Sequence, residues 1–217
     1  MTSQAKPIKP HKKAILIEAL NATTHGLAAL LSLVGTVFLI RKGVQINSWV
    51  SILSYLIYGL SMISLFTNST LYHSFSFSKF RKLFQKLDHS SIYLLIAGTY
   101  TPYLMISIGG AFGYWMLFLI WSLAIAGIVF EILSLDKFPR LSTFMYLGLG
   151  WLGVIILYPL IKRIVLNGVV FLALGGLCYS FGTIFYSMKS NKWMHIIWHL
   201  FVVAGAALMF ASIFIYV

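Results

Sequence analysis

Apolar residues fall in seven long blocks along this chain, and polar residues are mostly confined to the gaps between them. The blocks cover roughly 17–40, 48–74, 88–107, 112–133, 141–161, 166–187 and 194–216. Each is long enough for a helix of ~20 residues to cross a ~30 Å hydrocarbon core. Backbone polar groups in lipid must find partners within their own segment, so each block predicts an α-helix. The expected fold class is all-α: a polytopic membrane protein with a seven-transmembrane-helix bundle over 17–217, behind a short basic tail over 1–16. Pro102 and Pro159 lie inside blocks and predict kinks there. Gly26, Gly98, Gly148, Gly150 and Gly205 read as close-packing positions between helices.

Composition supports this pattern. The chain is 60% hydrophobic and 9% charged, whereas a soluble domain is about a quarter charged. A formal net charge of +12 would suggest nucleic acid in a soluble protein. Here no basic stripe is interleaved with exposed aromatics, so no nucleic-acid partner is expected. The Lys and Arg residues instead mark the connections. Twelve lie on the side of the N-terminal tail and four on the other, which predicts a cytoplasmic N-terminus and an external C-terminus. The tail followed by an apolar run has the outline of a signal peptide. That run carries Glu18, Asn21 and His25 and continues to Ile40, so a retained first span is expected. The lone cysteine, Cys178, permits no intrachain disulfide and reads as a small core residue. Trp193 and Trp198 are expected at headgroup level, flanking the last span.

The exceptions to the apolar pattern are the informative positions. Ser69 and His73, Asp88, and His195 and His199 all lie within or at the ends of apolar blocks. An ionisable group at bilayer depth costs roughly 2.5–3.5 kcal/mol even on insertion scales, so something must compensate. The predicted topology brings all five to the cytoplasmic side. His195 and His199 are four residues apart and stack one turn apart on a helix face, a geometry that lets two imidazoles share one metal. With His73 they supply the three protein ligands usual in a catalytic zinc site, which leaves a fourth position for water. Asp88 is then either a fourth ligand or the group that holds that water. Ser69, one turn from His73, can hydrogen-bond the water or a developing oxyanion. The residue after His195 is Ile196, so the H-E-x-x-H base is absent.

On the first span Glu18, Asn21, His25, Ser32 and Thr36 share one face. Ser32 and Thr36 read as a packing seam. Glu18, Asn21 and His25 read as groups that orient the metal ligands. His89, about 100° around the helix from Asp88, is expected beside the site or at a helix interface. Glu131 and Asp136 are expected to pair with Lys137 or Arg140.

Four segments carry a family resemblance. E-A-L-N-A-T-T-H at 18–25, S-T-L-Y-H-S at 69–74, D-H-S-S-I-Y-L-L-I-A-G-T-Y-T-P at 88–102 and M-H-I-I-W-H-L-F-V at 194–202 resemble the hemolysin III proteins of bacteria. Those proteins fall within the wider progestin and adiponectin receptor family, and the resemblance spans nearly the whole chain. It implies a seven-helix bundle in the bacterial cytoplasmic membrane with a cytoplasmic-facing N-terminus. It also implies zinc held at His73, His195 and His199, with Ser69 and Asp88 beside the metal-bound water. There is one departure. Many bacterial members carry a further, non-ligating His near the middle of the last span, where this chain has Met209.

Three functions fit such a bundle. A zinc-dependent hydrolase of amide or ester bonds in membrane lipids would use Asp88 as base and Ser69 as oxyanion donor, and the family's ceramidase-like relatives support an amide. A regulator with a structural zinc would close the fourth position with Asp88. A pore-forming cytolysin would need a soluble state that seven apolar spans do not offer. The hydrolase is the expectation, with membrane lipids as environment and substrate.

Overall fold

A computed structural model describes residues 11–134 and 137–217, with the side chain of Pro139 not described. The expected tail therefore falls mostly outside the described residues, as does Asp136. The described chain is helical throughout: α1 (Lys12–Gln45), α2 (Trp49–Ser74), α3 (Arg81–Pro102), α4 (Gly110–Ser134), α5 (Pro139–Trp151), α6 (Gly153–Ile161), α7 (Leu166–Ser187) and α8 (Trp193–Tyr216). A π-helical segment, Tyr103–Ile108, continues α3. Taken as continuous rods, with α5 and α6 forming one span, seven helices among the described residues are long and apolar enough to cross a membrane.

The helices outrun the apolar blocks at charged ends. Helix α1 begins at Lys12, and its 34 residues extend about 51 Å at 1.5 Å per residue, well beyond the hydrocarbon thickness. Helix α3 begins at Arg81, so Asp88 lies two turns inside it. Hydropathy stops at Lys and Arg, but these are good helix formers, so the backbone does not stop there.

Pro102 marks the change from α to π winding, as expected where a missing N–H interrupts the ladder. The segment ends at Gly109 and Gly110, with φ of 62° and 63°, a left-handed pair that reverses the chain into α4. Pro159 sits within α6, and the break in the fifth span comes earlier, at Leu152. There the carbonyls of Leu149 and Gly150 accept hydrogen bonds from the Tyr100 hydroxyl at 3.0 and 2.7 Å. A helix end within a bilayer needs such a partner. Among the described residues, nothing lies within 4 Å of where a side chain would start at Gly148 or Gly150, so close helix packing is not their role. Gly98 and Gly205 do admit close approach, by Ser61 and Tyr179 respectively.

Helices α1, α2, α3 and α4 pack in sequence, and α8 packs between α7 and α1 to complete the ring. Helices α5 and α6 bridge α3 and α7 more thinly. Tyr55, Tyr58, Phe66, Tyr93, Tyr103 and Ile213 fill the centre. The Tyr103 hydroxyl donates to Ser212 at 2.7 Å, tying the π segment to α8. Ser32 and Thr36 donate back to carbonyls one turn earlier on α1, at 2.7 Å each, and lie buried against their neighbours as a seam. Cys178 is half-buried.

Candidate metal centre

His73 lies in the last turn of α2, and His195 and His199 lie in the first two turns of α8. The antiparallel bundle brings these ends together. The Nε2 atoms of His73 and His195 are 3.3 Å apart, and those of His195 and His199 are 3.1 Å apart. One ligand atom from each of the three lies within 4.8 Å of the others. Tetrahedral zinc with Zn–N bonds of ~2.0–2.1 Å spaces its nitrogens about 3.3–3.4 Å apart. The spacings of His195 to His73 and to His199 are close to that value, and the third pair lies within 4.8 Å.

The other ring nitrogens explain the convergence. His73 Nδ1 is 2.7 Å from Glu18 Oε2. The carboxylate accepts, so the proton sits on Nδ1 and the lone pair on Nε2. His199 Nδ1 is 3.3 Å from the Thr24 hydroxyl, which itself donates to the Asn21 carbonyl at 2.8 Å. Toward His199, Thr24 is thus an acceptor, and His199 also keeps its Nε2 lone pair. His195 stands between these two lone pairs and can donate to only one of them. A cation at the common point satisfies all three, which is the usual arrangement of ligating imidazoles held by acceptors behind them.

Asp88 and Ser69 face each other across α3 and α2. Both are buried, and both line the same cavity as His195 and His199. Asp88 does not join the three histidines as a potential ligand. The cavity has a volume of about 360 Å³ and runs along α3, α7 and α8 to Met209. Its walls are overwhelmingly apolar. Trp151, Val154 and Leu177 line it while remaining 54%, 54% and 41% exposed, so it opens sideways between α5, α6 and α7.

The remaining residues singled out in the sequence divide in two. Glu18 touches a histidine of the trio directly. His25 stacks on His199, with ring centroids 3.6 Å apart and planes 7° off parallel, and meets Phe66 edge-on at 5.1 Å. Asn21 serves through its backbone carbonyl, and its buried side-chain oxygen has no hydrogen-bond partner among the described residues. His89 lines the same cavity as His195 and bonds Glu131, Nδ1 to Oε1, at 2.8 Å.

The expected pairing of Glu131 with Lys137 or Arg140 is overturned. Glu131 turns inward, and its second oxygen accepts from Ser142 at 2.8 Å and Tyr146 at 3.3 Å. A buried carboxylate is held by the donors that surround it, and these come from α3 and α5. Trp198 lines the cavity and packs against Gly182. The sequence does not single out Thr24. Its only signal is its place beside His25 in N-A-T-T-H.

Comparison with known proteins agrees with this architecture. The family pattern described as "Haemolysin-III related" matches residues 14–210. "Hemolysin-3 homolog" of Bacillus subtilis (strain 168) is 45% identical over 199 residues, covering 92% of this chain and 93% of the relative. "Hemolysin-3" of Bacillus cereus is 42% identical over 200 residues, covering 92% and 91%. The human "Monocyte to macrophage differentiation factor" is 29% identical over 212 residues, covering 95% and 87%.

Proposed function

The chain belongs to the haemolysin-III related family, within the progestin and adiponectin receptors, and is a multi-pass membrane protein; on that premise we propose that it is a zinc-dependent hydrolase of amide or ester bonds in membrane lipids. One observation carries this reading. Three imidazole Nε2 atoms converge beside an apolar, laterally open cavity whose polar lining includes an aspartate and a serine. His73, His195 and His199 hold the metal. Zinc bound there supplies Lewis acidity, enough to make water a nucleophile near neutral pH.

The chain's own residues do the rest. The cavity takes up an acyl chain from the bilayer and excludes bulk water from the reacting carbonyl. Asp88 accepts the proton of the attacking water at a carboxylate oxygen and delivers it to the departing nitrogen or oxygen. Ser69 donates its hydroxyl hydrogen to the carbonyl oxygen as that oxygen gains charge. Glu18 and Thr24 hold the Nδ1 protons of His73 and His199, which fixes both rings. The absence of Asp88 from the ligand trio supports an open fourth position over a closed structural site. We place this end of the bundle on the cytoplasmic side of a bacterial plasma membrane, from the twelve-to-four split of Lys and Arg.

The test is metal content and turnover of purified protein on lipid amides and esters. One zinc per chain, retained in Asp88→Asn while turnover falls at least a hundredfold, is the expected result. Loss of zinc in Asp88→Asn would instead identify a closed site and favour a regulator. A metal-loaded parent that turns over neither substrate class would overturn the hydrolase reading.

A further inference from the structure

A second cavity, of about 370 Å³, adjoins the first at the same end of the bundle. The two share His89, Tyr186 and His195 in their walls, so they meet beside the metal centre. Their chemistry differs. The first is a hydrocarbon-lined space, whereas the second is bordered by Arg81, Lys189, Lys192, Asn191 and Gln85. We propose that this polar vestibule binds the phosphate-bearing headgroup of an anionic lipid, whose acyl chain lies in the apolar cavity. The identity of that chain site rests on the hydrolase reading above, but the anion site does not.

Charge accounting supports the assignment. The chain has only four acidic residues, and two of them, Glu18 and Glu131, border the vestibule. Both are engaged by histidines, at 2.7 Å to His73 and 2.8 Å to His89. Those are the only side-chain ion pairs among the described residues, so the three basic groups at the rim are not neutralised by either acid. Arg81 lies near the Tyr72 hydroxyl, and the Lys189 ammonium sits 5.9 Å from the centre of the Tyr186 ring. The rim thus combines a planar, five-donor guanidinium with two ammonium groups, a combination suited to phosphate. Arg81 opens α3 and Lys192 immediately precedes α8, so two helix N-termini add positive potential at the same rim.

A lipid is favoured over a free anion because the polar space borders a hydrocarbon-lined one across His89, Tyr186 and His195. An amphiphile fills both at once, with its polar–apolar junction beside the three histidines.

The experiment is displacement of a fluorescent short-chain phosphatidylglycerol from metal-loaded protein in phosphatidylcholine nanodiscs. The competitors are dihexanoyl-phosphatidylglycerol, dihexanoyl-phosphatidylcholine and inorganic phosphate. The phosphatidylglycerol should compete about tenfold better than the zwitterionic lipid, and inorganic phosphate should compete only at far higher concentration. Arg81→Gln combined with Lys189→Gln and Lys192→Gln should erase that preference while metal content stays unchanged. Lys79→Gln with Lys82→Gln, two exposed charges outside the vestibule, should preserve it.

An equal loss in that control pair would reduce the effect to general surface charge and overturn the site. Equal competition by the two lipids would overturn anion selection. Inorganic phosphate competing as well as the lipid would overturn the headgroup assignment. Because binding is measured directly, an inactive but anion-selective protein would sink the hydrolase and leave the vestibule standing.

Discussion

Two histidine–glutamate pairs sit at the same end of this bundle, with nearly equal bond lengths. His73 meets Glu18 at 2.7 Å, and His89 meets Glu131 at 2.8 Å. Bond length does not distinguish their roles, but the surroundings do. The Glu18 side chain is 26% exposed, and its histidine turns the other nitrogen toward two more imidazoles. The Glu131 side chain is 3% exposed and is wrapped by Ser142 and Tyr146 as well as His89. One pair fixes the tautomer that turns a lone pair toward the other two imidazoles. The other clamps α3, α4 and α5 together around a satisfied buried carboxylate. The function of a histidine–carboxylate pair is thus read from what the second ring nitrogen and the second carboxylate oxygen face.

The largest effect should come from removing a histidine of the trio. His73→Ala and His199→Ala should each abolish stoichiometric metal, because two imidazoles cannot complete a site that needs three. Metal analysis of detergent-purified, monodisperse protein checks this. Bound metal persisting in both variants would show that the trio is a hydrogen-bonded cluster and not a ligand set.

The next effect belongs to the second pair and should appear in stability, not in metal. Glu131→Ala leaves His89, Ser142 and Tyr146 facing a void, a change expected to cost about 3 kcal/mol. For a chain of this length the thermal midpoint should fall by roughly 10 °C. Metal content at saturating zinc should remain one per chain. If Glu131→Ala lost metal without losing stability, the two pairs would have exchanged roles.

These roles are unequally legible in the sequence. The seven spans are visible because little besides a membrane crossing calls for an unbroken hydrophobic block of ~20 residues. The trio is visible because imidazoles are costly in lipid, so His73, His195 and His199 stand out against apolar neighbours. Glu131 is different, because charge complementarity along the chain points it to Lys137 and Arg140. Its actual partners are uncharged or distant in sequence: Ser142 and Tyr146 on α5, and His89 on α3. The break at Leu152 is hidden for a similar reason. Pro159 is the louder signal, but the hydroxyl that stabilises the break belongs to Tyr100, about 50 residues away. Hydropathy reports depth in the membrane, and the partner of a buried polar group is set by helix packing that no local pattern encodes.

Glu18→Ala removes the acceptor behind His73. Removing an acceptor behind a ligating imidazole typically costs 10–100-fold in metal affinity, and a loss in that range is expected here. The fold should be little affected, since Glu18 is partly exposed. Competition with a chromophoric zinc chelator measures it. An unchanged affinity would mean that His73 is oriented by its packing alone.

The smallest expected effect is at Thr24, and it tests whether the acceptor logic extends to a neutral group. Thr24→Val keeps the shape of the side chain but removes the oxygen 3.3 Å from His199 Nδ1. That bond is longer than the one from Glu18 to His73 and carries no charge, so the loss in zinc affinity should be smaller, below about tenfold. His199 is also stacked face to face on His25, which restrains the ring plane without the hydroxyl. The two restraints act on different freedoms. Stacking fixes the plane of the ring, and Thr24 fixes which nitrogen carries the proton. Thr24→Val should therefore weaken zinc binding severalfold, and His25→Ala in the same background should add a further loss. If Thr24→Val matched Glu18→Ala in effect, the neutral hydroxyl would be as strong an anchor as the carboxylate, and the ranking drawn from charge and distance would be wrong.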